Sequence, residues 1–471
     1  MLNPFPPRRF VALLGLPLSA VLLMASCVPP SPDQTGPNGG VDRAGNATKI
    51  AETTLPPATS VSPATPPANG DTATTVPTVV AAPGSPTTAP STTRPPVTST
   101  TTSTTAATDS AAPAVPVLPV HTTAQGSPIQ IVWGYKPPTD GTSTAGLASR
   151  YSTFVLTRDD EDYRDRLVAL GAAPPLMYVR FDAVLQPLGG RPPLKNNVAD
   201  AAGDVDRLLA QHPDWFLRDG AGNPIIDDDM AGYDAYIMDP GNTGWRNYWI
   251  DRVKARYDAE GWNGGIFLDN VELSLKKRVR FGGLPAAYPT DDAYFAAVSG
   301  MLKALYFRWG KWSQLPVIAN TVESTSGDLA RTAAVDQWTS GWLEEGFATS
   351  WRSDTWRSQA DWEWQLSKVD QAVAGGDRVF LFAQGPRNDD VRETFALASY
   401  LLVSTTDRTF FRYVDYTAGY RADWWYANYA AALGMATGPR YRVGATAWRR
   451  DFTGGSVTVD PTAHSASINV S

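Results

Sequence analysis

Cysteine and histidine are almost missing from this chain of 471 residues, which holds one cysteine, Cys27, and three histidines, His121, His212 and His464. A lone thiol cannot close an intramolecular disulfide. Placed at residue 27, it lies outside the aromatic-rich part of the chain that begins at Trp133, so a thiol nucleophile is excluded. A Ser-His-Asp triad or a histidine-rich metal centre needs imidazoles that the chain hardly has. No GxGxxG or GxxxxGK stretch occurs, so no nucleotide is expected. Aromatic residues are absent between Phe10 and Trp133, and residues 1–127 carry as many basic as acidic groups. The whole formal net charge of −7 therefore belongs to the remainder. A mildly acidic surface argues against nucleic acid as a partner.

The N-terminus has the pattern of a secretory signal. Arg8-Arg9 precede an apolar stretch from Phe10 to Met24, too short for a comfortable membrane span, and Ala25-Ser26-Cys27 resembles a lipobox. Residues 1–27 are thus expected to be a lipoprotein signal peptide. Cleavage before Cys27 and its lipidation would anchor the protein to the outer side of a bacterial cell membrane without spanning it; if the lipobox is not used, the protein is secreted. Residues 28–127, rich in Pro, Thr, Ser and Ala, cannot bury enough apolar surface to offset their ordering entropy and read as a disordered linker. Roughly 100 residues at about 3.1 Å each give a reach on the order of 300 Å.

What is present in quantity lies in residues 128–471: all 16 Trp and most carboxylates. Strand-like runs alternate with amphipathic stretches. The candidate strands are 129–135, 153–156, 176–181, 265–268, 316–319, 335–338, 378–383 and 408–413, the eight needed for a (β/α)8 barrel with a parallel sheet. Trp245, Trp249, Val253 and Tyr257 recur every four residues, as on one helix face. Thr290-Asp-Asp and Asn388-Asp-Asp open two further helices. A long excursion between the third and fourth strands, with a hairpin signal at Asp219-Gly220, is expected to shape a cleft. The barrel is assigned to 128–440. A short C-terminal β-hairpin, read from the alternation around Gly454-Gly455, occupies 441–471.

Polar residues gather where candidate strands end. Gly264-Gly-Ile-Phe-Leu-Asp-Asn-Val-Glu272 flips from an apolar run to Asp269, Asn270 and Glu272. Arg180 and Asp182 end the third strand, Asn320 and Glu323 follow the fifth, and Gln384 ends the seventh. Trp338 and Trp342 lead to Glu344 and Glu345 in the sixth. In a barrel these tips converge on one face. Paired carboxylates there are equipment for glycoside hydrolysis: one protonates the leaving oxygen while the other attacks or activates water, and indoles stack on sugar rings. Each residue also has a structural reading. Glu272 suits Lys276 or Lys277 as an ion-pair partner, Arg180 and Asp182 suit each other, and the two tryptophans suit a core. Asp227-Asp-Asp229 lacks the regularly spaced oxygen ligands of a calcium loop and reads as a solvated turn. No metal or other cofactor is expected.

Residues 210–350 resemble the hypothetical glycosyl hydrolase family fifteen and share features with endo-α-1,4-polygalactosaminidase and α-galactosidase-like barrels. The matching stretches are Asp214-Trp-Phe-Leu-Arg218, Met238-Asp-Pro240 with Trp245-Arg246, Gly264 to Glu272, and Leu343-Glu-Glu-Gly-Phe347. Weaker similarity continues through Arg449-Arg-Asp-Phe452 and Val457 to Pro461. The resemblance implies a TIM-barrel glycoside hydrolase acting on an extracellular or cell-envelope polysaccharide, with Asp269 as nucleophile and Glu345 as proton donor. Glu344 is the alternative donor. Arg180, Asp182, Asn270, Glu272, Asn320, Glu323, Trp338, Trp342 and Gln384 are expected to line the sugar site. A carbohydrate-binding protein without hydrolytic activity is the competing reading.

Overall fold

The computed structural model describes residues 127–471 except 228–231, 282, 312–313, 323–328, 352–353 and 416–419. The signal segment, Cys27, the linker, Glu323 and Asp228-Asp229 lie outside the described residues. Among the described residues no helix is long and apolar enough to cross a membrane.

Eight parallel strands build one sheet in the order β1-β2-β3-β7-β8-β9-β10-β11. They are β1 (Val132–Gly134), β2 (Thr153–Leu156), β3 (Leu176–Arg180), β7 (Ile266–Glu272), β8 (Val317–Val322), β9 (Gly341–Glu345), β10 (Arg378–Gln384) and β11 (Thr409–Val414). A parallel bridge from Ile131 to Phe411 brings the last strand back to the first, which makes the sheet a (β/α)8 TIM barrel. Period two along each strand divides its side chains. Val132, Tyr178, Phe267, Ile318, Leu343, Phe380 and Phe410 fill the interior, while alternate residues such as Met177, Leu268, Ala319 and Trp342 face the helices.

Helices between the strands cover the outside: α1 (Thr144–Arg150), α2 (Glu161–Ala169), α3 (Asp204–Gln211), α4 (Thr243–Ala259), α5 (Lys276–Phe281), α6 (Asp291–Leu305), α7 (Leu329–Asp336), α8 (Gln359–Gly375) and α9 (Asp390–Leu401). Helix α4 buries Trp245, Trp249, Val253 and Tyr257, as their spacing predicts. Thr290 caps α6 through Ala293 N (3.2 Å). The cap of α9 falls on Asp389, one residue later than Asn388, and its carboxylate accepts from Arg392 N (3.0 Å). Between β3 and β7 the excursion forms a three-stranded antiparallel sheet of β4 (Ala183–Pro187), β5 (Ile226–Asp227) and β6 (Tyr233–Ile237). Arg218 and Pro224 form an antiparallel bridge around the Asp219-Gly220 turn.

Two expectations need correction. Residues 335–338 are not a strand: Val335 and Asp336 end α7, and Trp338 sits in the turn that follows, its N–H bonded to Val335 O (2.8 Å). The sixth barrel strand is β9, whose apolar run is cut short by its two glutamates. Gly341 opens it at φ 145, and an added Cβ there would lie 1.8 Å from Arg378 O. The C-terminal hairpin, in turn, is the middle of a four-stranded antiparallel sheet. Its strands are β12 (Tyr441–Val443), β13 (Ala447–Phe452), β14 (Gly455–Asp460) and β15 (Ser465–Val470), and β14 and β15 lie against α9.

Candidate active site

Asp269 occupies an inward-facing position near the C-terminal end of β7, paired in register with Arg180 of β3. Its Oδ1 accepts from Asn320 Nδ2 on β8 (2.9 Å), and its Oδ2 accepts from the Tyr178 hydroxyl on β3. The side chain is fully buried. Burial pushes its pKa up, against the two hydrogen bonds and the nearby Arg180 charge, which favour the ionised form. A β-bulge follows at once: the β7–β8 register shifts between Leu268 and Val271, and Asn270 adopts the left-handed conformation at φ 58. Bulges beside active sites re-aim side chains. The buried Asn270 Nδ2 finds no hydrogen-bond partner among the described residues.

Glu344 and Glu345 are separated by strand alternation. Glu344 faces outward, buried under α8, where its carboxylate accepts from Gln365 Nε2 (3.1 Å) and Lys368 Nζ (3.1 Å). That geometry removes it as the alternative proton donor. Glu345 points to the barrel mouth and is partly exposed. It accepts from the Tyr420 hydroxyl (2.8 Å), which also accepts from Gln384 Nε2 at the end of β10 (3.1 Å). The Trp351 ring lies 6.5 Å from the Tyr420 ring at 21°. Arg412 of β11 supports this side by donating to Tyr420 O (3.0 Å).

Several expected sugar-site residues do other work. Trp342 packs between barrel and helix with Lys368 Nζ 4.1 Å from its ring centre, and Trp338 lies before β9, at the opposite end of the barrel, against Tyr306 and Phe307. Trp342 is core and Trp338 is a half-buried residue packed against it, so neither stands at the mouth. Asp182 and Glu272 join a buried ionic cluster. Arg180 Nε donates to Asp182 Oδ1 (2.8 Å) and Arg278 Nε to Glu272 Oε2 (2.7 Å). Lys277 reaches Glu272 (3.5 Å) and Asp227 (3.6 Å), and Arg278 reaches Asp182 and Asp227 (3.5 Å each). Burial works to raise the Asp182 pKa, but Arg180, Lys277 and Arg278 outweigh it and hold the carboxyl below its usual range. Asp227 is consequently a buried ion-pair member and not part of a solvated turn. Removing one partner from such a cluster leaves an uncompensated buried charge, a loss of about 3–5 kcal/mol.

The mouth therefore gathers Asp269, Asn320, Glu345 and Gln384, and adds Tyr178, Tyr420, Trp351 and Arg412. Tyr178 is legible in retrospect, two residues before Arg180 on the inward face of β3. Tyr420 and Trp351 stand on loops without periodicity and carry no such signal.

The model of the hypothetical glycosyl hydrolase family 15 matches residues 192–456. The chain belongs to that family and is a glycoside hydrolase of TIM-barrel fold. No curated protein matches its sequence. Among solved structures it is similar to the glycoside hydrolase domain of PelA from Pseudomonas aeruginosa, at 16% identity and TM-score 0.41, covering 63% of this chain and 98% of that one. It is also similar to an α-galactosidase from Thermus thermophilus (14%, TM-score 0.36, 71% and 67%) and to trehalose-6-phosphate hydrolase from Bacillus licheniformis (10%, TM-score 0.37, 60% and 64%). The family assignment rests on the sequence match.

Proposed function

We propose that this protein is a surface-anchored hydrolase that cleaves O-glycosidic bonds of an extracellular or cell-envelope polysaccharide, with Asp269 as nucleophile and Glu345 as proton donor. The observation that carries the reading is the pair of inward-facing carboxylates at the ends of β7 and β9, each held by a tyrosine hydroxyl. Protonated Glu345 gives its proton to the leaving oxygen as the C–O bond breaks. Asp269 Oδ attacks the anomeric carbon, and a water deprotonated by Glu345 then releases the sugar. Asn320 and Tyr178 hold the Asp269 carboxylate in place and stabilise its charge. Gln384 and Trp351 flank the acid, where they can contact the sugar.

Incubating the full chain with a panel of bacterial polysaccharides and measuring released reducing ends tests the reading. At least one glycan is expected to be cut by the wild type and spared by Glu345→Gln. No cleavage across neutral, acidic and amino-sugar polymers contradicts it and favours the binding-only alternative. Anchoring is supported by the Ala25-Ser26-Cys27 sequence and the long linker after it. Cys27→Ser is expected to move the protein from the membrane fraction to the medium. Continued labelling of that variant with radioactive palmitate contradicts the assignment.

A further inference from the structure

The C-terminal sheet does not close flush on the barrel. Between its first two strands, α8 and the segment after α9 lies an open cleft of about 470 Å³, within the range of small-ligand sites. Helix α9 leaves the mouth near Gln384 and ends near the start of β11. Leu402 and Thr405 therefore stand at the end of the barrel opposite Asp269 and Glu345. The floor is aliphatic: Val373, Ala374, Leu402 and Val403. Arg440, Trp448 and Arg450 form the wall on the sheet side.

The charges of this wall do not balance. Arg440 is matched by Asp370 through two contacts, Nη1 to Oδ1 (2.9 Å) and Nη2 to Oδ2 (2.7 Å). Arg450 meets no carboxylate among the described residues. Its Nε donates to Gly438 O (3.1 Å), and its Nη1 donates to Leu401 O (3.0 Å) and Ser404 O (2.9 Å). The bond to Leu401 O caps α9 and the bond to Ser404 O holds the turn after it, a structural duty a cation performs well at a helix C-terminus. They leave Nη2 without a hydrogen bond among the described residues. Burial, and then the neighbouring Arg440 charge, hold the Arg450 pKa below the usual arginine range against the opposing Asp370 charge, and an anion here would favour the charged form. A positive cleft on a chain of net charge −7 is a local selector.

We propose that this cleft is a second, non-catalytic carbohydrate site that takes an acidic sugar, a uronate residue of a polysaccharide. Its carboxylate accepts from the remaining Nη2 of the Arg450 guanidinium, a charge-assisted hydrogen bond. The C–H face of its ring covers Val373 and Ala374, and the cleft holds about one or two pyranose rings.

Calorimetric titration of the full chain with trigalacturonate, with the neutral trisaccharide maltotriose and with inorganic phosphate tests this. Trigalacturonate is expected to saturate at or below millimolar concentration, while the other two do not bind. Arg450→Gln should weaken binding at least about tenfold. Because Arg450 also caps α9, Ala374→Glu provides the second variant: it adds an opposing charge at an exposed floor position and should weaken binding to the same degree. Asp269→Asn should leave the titration unchanged, which separates this site from the catalytic one. No binding of trigalacturonate, equal binding of phosphate, or binding indifferent to Ala374→Glu overturns the proposal, while the hydrolase reading stands or falls on its own assay.

Discussion

Two residues separated by a single peptide bond have opposite fates here, and strand geometry decides which. Glu344 and Glu345 are equivalent in sequence, but period-two alternation sends one to Lys368 and the other to Tyr420. The same residue-level logic applies to Asp269, where burial raises the pKa and the Tyr178 hydroxyl opposes that rise. Removing the hydroxyl while keeping the ring shifts the balance further toward the protonated acid. Tyr178→Phe is therefore expected to move the acidic limb of the pH–rate profile upward by about one pH unit, the size of one hydrogen bond to a charged group. A downward shift, or none, would show that this bond does not tune the carboxylate. A catalytic pair read from chain order alone could name Asp269, but could not choose between the glutamates.

At the level of elements, the strands most easily read are those whose apolar runs are unbroken. β2 is legible in the sequence to the residue, and β3, β10 and β11 to within one residue at each end. β9 escapes the sequence because only Trp342 and Leu343 are apolar before the acids begin, while the run expected as a strand, 335–338, is the end of α7 and the turn after it. The register of β9 depends on Gly341, which passes close to the Arg378 carbonyl. Gly341→Ala forces that strand away from β10 and should cost about 2 kcal/mol or more, read as a lower denaturant midpoint. An unchanged midpoint would mean that the rim can relax around a methyl group. Of the ionic cluster, the sequence shows the local pairs Arg180–Asp182 and Glu272–Lys277, but not the arrival of Asp227 and Arg278. The bulge at Asn270 and the loop tyrosine Tyr420 are not legible, because they depend on contacts between segments that no local pattern encodes.

Across the whole molecule, the two ends of the barrel carry different burdens. At the end away from the mouth, burial raises Asp336 to about 6. Burial, with Asp336 beside it, raises Asp377 to about 7. Folded-state values above the unfolded ones mean that this contribution is full below the ordinary carboxylate range and is lost as pH climbs through 6 and 7. Asp377→Asn removes the titration. Its melting temperature should match the wild type near pH 4 and exceed it by several degrees above pH 7; identical profiles would contradict a buried, strained pair. At the mouth, the account comes down to whether acids distant in the chain act together. The most direct measurement is the initial rate of sugar release from a cleaved glycan by the full chain carrying Asp269→Asn, Glu345→Gln or Glu344→Gln, each checked for native near-UV circular dichroism. The first two are expected to lose at least about 10³-fold in rate, with Glu344→Gln far less affected per folded molecule. Wild-type turnover by folded Asp269→Asn would contradict the account.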